Sequence, residues 1–213
     1  MAQTPAVRKA ARAAKRKAEA TARQAQAMAA NSQSGRVREG ALLPIRDCMV
    51  SAGLFENGMG AVYLSRGAST ARQFIALFMV DSFALGVKEL SFRVAERDEA
   101  EFLLDAVNTA DALTPTPPEE ARKLLRDVVA WANGSGFAPP KTFAAIEALF
   151  GDVVPAETDY AARCGKEGKV LYIPGPSETP AQIKRRMKHV EQRFGIDAAL
   201  TTLAMVTEAL KDE

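Results

Sequence analysis

The segment FIALFMV, Phe74–Val80, is apolar at all seven positions. No other stretch limits the fold as strongly. The run is strand-length, well short of the roughly 20 residues a membrane-spanning helix needs. A strand without alternation is covered on both faces, so the chain must build a sheet with material on each side. The flanking segments supply its neighbours. GAVYLSRG puts Val62 and Leu64 on one side and Tyr63 and Ser65 on the other, with glycine at both ends. Leu90, Phe92 and Val94 alternate with Ser91, Arg93 and Ala95, the pattern of a strand with one wet face. LLPIRDCMVSAG reads as a first strand or a short helix. The connections are too short for crossovers, so a small, mostly antiparallel sheet is expected over about residues 41–95.

Helical periodicity follows. Residues 97–109 carry Phe102, Leu103, Ala106 and Val107 at helical spacing. TPTPPEEARKL opens a second helix, with prolines at its start and acids in its first turn. Its apolar stripe is Leu124, Leu125, Val128, Val129 and Ala132. APPKTFAAIEALFG is a short third helix with Phe143, Ile146, Leu149 and Phe150 inward. Residues 157–174 return to strand character as a hairpin turning at Gly165–Gly168. A basic helix follows, capped near Ser177 or Thr179, and IDAALTTLAMVTEALKDE closes the chain as an amphipathic helix on Leu200, Leu203, Val206 and Leu210. The expected fold is α+β, with four to five helices against the sheet and hairpin. It forms one domain, 40–213, behind an arm, 1–39.

That arm holds the charge asymmetry. Residues 1–39 contain nine basic residues against Glu19 and Glu39, a net +7, which leaves −5 for the rest of the chain. Ala, Arg, Lys and Gln favour helix, but no apolar stripe is present, so a helix here would be marginal. NSQSG, 31–35, reads as a flexible break. The arm is a solubilising tail, an organelle transit peptide, or an electrostatic arm for nucleic acid through Arg8, Lys9, Arg12, Lys15, Arg16, Lys17 and Arg23. The 184–193 helix supplies a second basic patch in Lys184, Arg185, Arg186, Lys188, His189 and Arg193, which can equally be the solvated face of a packed helix. Two distant cysteines, Cys48 and Cys164, and a single histidine, His189, point away from a disulfide framework and a zinc site. They fit a reducing, cytoplasmic setting, with no metal, no cofactor and no membrane partner expected.

Three residues could carry chemistry at the end of the apolar run. Asp81 stands where a sheet enzyme places a carboxylate, and also where a turn needs an Asx acceptor. Lys88 and Glu89 lie beyond Gly86, but they are adjacent and face opposite ways on a strand, unlike the Glu-x-Lys spacing of metal-dependent nucleases. Cys164 and His189 match no thiol-protease pattern. Gly58 and Gly60 precede a strand rather than a helix, the reverse of a phosphate loop.

The segments LLPIRDCMVS, GMGAVYLSRG and QFIALFMVDSFALGVKELSF occur in an order that resembles an uncharacterised bacterial family. Its members have a basic N-terminal stretch, an LVD-x-x-CLGVKD-like strand and turn and, in some, a zinc-binding SEC-C module. WANGSGFAPPKTFAAIEALFGD and GKEGKVLYIPGP are similar to its later motifs, a helix pair and a GKxGKPxYxxGP-like hairpin. The likeness covers roughly residues 41–195 and implies a shared fold unit rather than an activity. Asp81, Gly86, Val87 and Lys88 occupy matching positions; the family's cysteine falls at Ala84, and the SEC-C cysteines are missing here.

The reading that results is a non-enzymatic module that binds RNA, DNA or a ribonucleoprotein through its basic arm. One alternative is a hydrolase or nuclease centred on Asp81, Lys88 and Glu89. Another is an adaptor that binds a protein through its closing helix.

Overall fold

The computed structural model describes residues 33–68, 72–175 and 178–195. The arm cations Arg8 to Arg23, Ser177 and the closing helix expected over 196–213 lie outside them.

Residues 33–41 are helical (α1). Five strands follow: β1 (Ile45–Ser51), β2 (Met59–Arg66), β3 (Gln73–Asp81), β4 (Gly86–Ala95) and β5 (Leu113–Pro115). The helices between and after them are α2 (Leu54–Asn57), α3 (Arg97–Ala110), α4 (Pro118–Gly134), α5 (Phe143–Glu147) and α6 (Pro180–Phe194). Single 3-10 turns occupy Ala148–Phe150 and Ala161–Arg163. The sheet is antiparallel throughout, in the order β4-β3-β2-β1-β5. The α+β architecture is therefore as the sequence predicts.

Strand parity explains the layers. Phe74, Ala76, Phe78 and Val80 of β3 join Val62 and Leu64 of β2 on one face. There they meet Leu124, Leu125 and Val128 of α4, with Ile146, Leu149 and Phe150 behind them. Ile75 and Tyr63 point to the other face, where Ala100, Leu103 and Leu104 of α3 cover them. A third cluster joins Ala84, Leu85, Tyr172 and Val190, and fastens α6 to the β3–β4 turn. Ala84, where the resembled family carries cysteine, is fully enclosed by this cluster, a place for a small apolar group rather than a reactive thiol.

Four expectations need correction. NSQSG is not a break from residue 33 onward: α1 crosses the expected boundary at 39/40, because Val37 is buried in the main core and Gly40 lies against Phe74 and Leu149. β5 overlaps the start of the TPTPP segment and pairs with β1, Val50 opposite Thr114, ahead of α4. The 157–174 hairpin reduces to one bridge, Lys166 with Lys169, around Glu167 and Gly168, both at positive φ. Its flanks bond elsewhere: Gly165 and Leu171 donate to the Ser82 and Phe83 carbonyls in the β3–β4 turn. Phe102 of α3 is 71% exposed, so the helix buries Ala100 and leans on Leu103 and Leu104 instead.

Candidate functional site

The site begins with a one-residue irregularity. In the β3–β4 pairing Val80 faces Val87 and Met79 faces Glu89, so Lys88 is the extra residue of a β-bulge. A bulge re-aims the side chain it carries. The Lys88 ammonium is turned to the Glu178 carboxylate, 2.5 Å away, and both side chains are only 4% exposed. Arg186 of α6 reaches the other Glu178 oxygen at 2.6 Å. The Tyr172 hydroxyl and the Gly175 N–H also donate to this carboxylate. Burial alone pushes the Glu178 carboxyl up, but Lys88, Tyr172 and Gly175 more than offset it and hold it below the ordinary glutamate range.

Local sequence fixes α6 over this cluster. Thr179 caps the helix reciprocally with Gln182, and Pro180 stands at its first turn. At the far end His189 Nε2 donates to the Ser135 carbonyl at 3.1 Å, and Arg193 donates to the Gly134 carbonyl at 2.6 Å. Both carbonyls belong to the C-terminus of α4, where cations are favoured. Gly136 is required here on two counts: its φ is +86°, and a Cβ would lie 2.7 Å from His189 Nε2.

Between α6 and the 136–141 loop lies a cavity of about 450 Å³. Lys88, Arg185, Arg186 and His189 line one side. Phe137, Pro139, Pro140 and Lys141 line the other. Among the described residues no carboxylate lines it. Two residues that the sequence places in separate roles, Lys88 as a weak catalytic candidate and Arg185 as a nucleic-acid contact, share this cleft. Lys184 and Lys188 are exposed on α6 and do not line it. Arg186 and His189, legible in the sequence only as members of the basic helix, line the cleft too, and Lys141 is a cleft residue that sequence reasoning misses. The glycine and proline run of GSGFAPPK signals a rigid loop, but nothing in it gives the loop's position against α6.

Asp81 is elsewhere. It is 1% exposed and accepts the backbone N–H groups of Phe83 and Ala84 at 3.0 and 2.8 Å, which closes the turn as an Asx motif. Burial raises its carboxyl to about 6, against the opposing pull of the Ala84 and Phe83 N–H groups and the Lys88 charge. Because the folded value lies above the ordinary one, ionisation costs stability as pH rises from about 4 to 6. Asp81→Asn is expected to gain on the native protein across that window, by up to roughly 1.4 kcal/mol per pH unit. Urea midpoints of both forms at successive pH values check this; a constant gap between them refutes it.

Glu89 is exposed on β4. Cys164 belongs to the main core and His189 packs edge-on against Phe137, so the structure does not present them as a nucleophile and base. Burial raises both thiols, Cys48 and Cys164, to about 12, which keeps them protonated. Among the described residues no three His, Cys, Asp or Glu side chains group closely enough to hold a metal, and no helix is long and apolar enough to cross a membrane. No protein-family profile, no curated protein and no solved structure matches the chain.

Proposed function

We propose that the protein is a non-enzymatic module that binds nucleic acid or a ribonucleoprotein, with the α6 cleft and the basic arm as its two contact regions. The observation that carries this reading is the cleft's lining: Lys88, Lys141, Arg185 and Arg186 converge on one cavity without a lining carboxylate among the described residues. Convergent cations, together with the basic residues of the arm's sequence, suit phosphate contacts, which dominate nucleic-acid affinity. The hydrolase alternative is weaker because Asp81 is spent on a turn and Glu89 lies outside the cleft. Two unpaired, buried cysteines favour a reducing compartment such as the cytoplasm.

The test is fluorescence anisotropy with labelled RNA and DNA at several salt concentrations. The native protein is compared with a full-length variant whose Arg8, Lys9, Arg12, Lys15, Arg16, Lys17 and Arg23 are replaced by glutamine. Binding is expected to weaken with salt, and the log–log slope to become shallower in the variant by about 0.7–0.9 for each phosphate that the arm no longer neutralises. No binding by the native protein at low salt sinks the proposal.

A further inference from the structure

We infer that the cleft between α6 and the 136–141 loop is a site for a single nucleotide unit bearing a phosphate monoester, either a free nucleotide or the phosphorylated end of a strand. This rests on the nucleic-acid reading but gives the cleft a narrower task than backbone contact. Three observations support it.

The first is size. About 450 Å³ falls in the range of small-molecule sites and admits one nucleotide, whereas a duplex would have to lie across its mouth. The second is charge. Four cations converge there, and Lys88 and Arg186 are offset by the single carboxylate of Glu178. Arg185 and Lys141 have no ion-pair partner among the described residues, and both are exposed at the cleft. The net of three positive charges suits a monoester of charge near −2 better than a diester of charge −1. The third is polarity. Lys88, Arg185 and Arg186 occupy the α6 and β4 side, and the loop opposite is mainly apolar, with Phe137, Pro139 and Pro140 beside Lys141. A phosphate on the first side leaves a base against the second, where Phe137 is the aromatic residue and contact between a base and an aromatic ring is sequence-tolerant.

Arg185 and Lys141 are the residues to remove, because both are exposed and neither anchors the fold. Short single-stranded RNAs with and without a 5′-phosphate, labelled at the 3′ end, would be titrated against the full-length protein and its Arg185→Ala/Lys141→Ala variant. Adenosine monophosphate, adenosine and inorganic phosphate would be titrated separately by calorimetry. Circular dichroism and melting temperature verify that the variant folds.

The expected result is an affinity at least about tenfold higher for the phosphorylated strand, with most of the difference abolished in the variant. Adenosine monophosphate should bind the native protein more tightly than adenosine or inorganic phosphate. If strands bind regardless of the terminal phosphate and the monophosphate does not bind, the inference is overturned and the nucleic-acid reading stands. If the monophosphate binds through Arg185 and Lys141 while no strand binds, the cleft assignment holds, its source is the free nucleotide, and the nucleic-acid reading fails. Monophosphate binding unchanged in the variant also overturns the inference.

Discussion

Arg66→Met is expected to destabilise the protein by about 3–5 kcal/mol. The guanidinium is deep in the fold, and the residue is 5% exposed. It donates to the Ala41 and Leu43 carbonyls at 2.8 and 2.6 Å and to the Phe150 carbonyl at 2.5 Å. Ala41 ends α1 and Phe150 ends the 3-10 turn, so one side chain on β2 ties down two elements distant in sequence. Methionine fills much of the volume but leaves three acceptors without donors, and each uncompensated buried group costs about 1–3 kcal/mol. Arg66→Lys should recover only a minor part, because an ammonium lacks the planar fork that reaches three carbonyls together. Domains of ordinary size are stable by only about 5–15 kcal/mol, so urea midpoints should move far, with an unchanged slope if unfolding stays two-state. A loss below about 1 kcal/mol would show that the clamp does not hold these elements.

The Lys88–Glu178 pair should respond asymmetrically. Glu178→Ala leaves the Lys88 ammonium buried without its partner and is expected to cost about 3–5 kcal/mol. Lys88→Met is expected to cost less, about 1–2 kcal/mol, because Glu178 retains Arg186, the Tyr172 hydroxyl and the Gly175 N–H. The double variant should be more stable than the sum of the two losses predicts, which a double-mutant cycle measures directly. Acid adds an independent check. Because the Glu178 carboxyl is held below its ordinary value of 4.5, its contribution is complete above that pH and disappears as pH falls through the folded value. The native protein should therefore lose its advantage over Glu178→Ala on acidification. Equal costs for the two single variants would mean that Glu178 is no hub.

What the chain discloses in advance follows from how local each signal is. Alternation in β4 and the unbroken apolar run in β3 reveal strands, because a pleat writes its two faces into neighbouring residues. The stripe of α4 is equally legible: all five of its expected residues are buried. β5 is hidden because a three-residue strand bearing Pro115 is built by its partner β1 and not by its own propensity. The hairpin reads as longer than it is because Leu171 and Tyr172 are apolar for another reason: they pack beneath the β3–β4 turn and α6. The cleft is only half visible. Lys88 and Arg185 stand out as cations, but the bulge that turns Lys88 toward Glu178 is a property of pairing register, which neither strand carries alone.

That bulge has a consequence for how molecules of this protein meet. β4 is an outer strand of the sheet, and an outer strand offers its outward hydrogen-bonding groups to any extended chain that approaches. Lys88 interrupts the regular spacing of those groups near one end, and Glu89 and Arg93 place exposed charges along the same strand. At the opposite border β5 is three residues long and ends in a proline, which has no N–H to offer. The regular part of β4 is confined to Glu89–Ala95, where the exposed charges stand, and β5 offers three residues. A second copy that sought to extend the sheet would meet a kinked ladder on one side and a truncated one on the other, so the same residue that directs a cation into the cleft also discourages the sheet from growing between molecules.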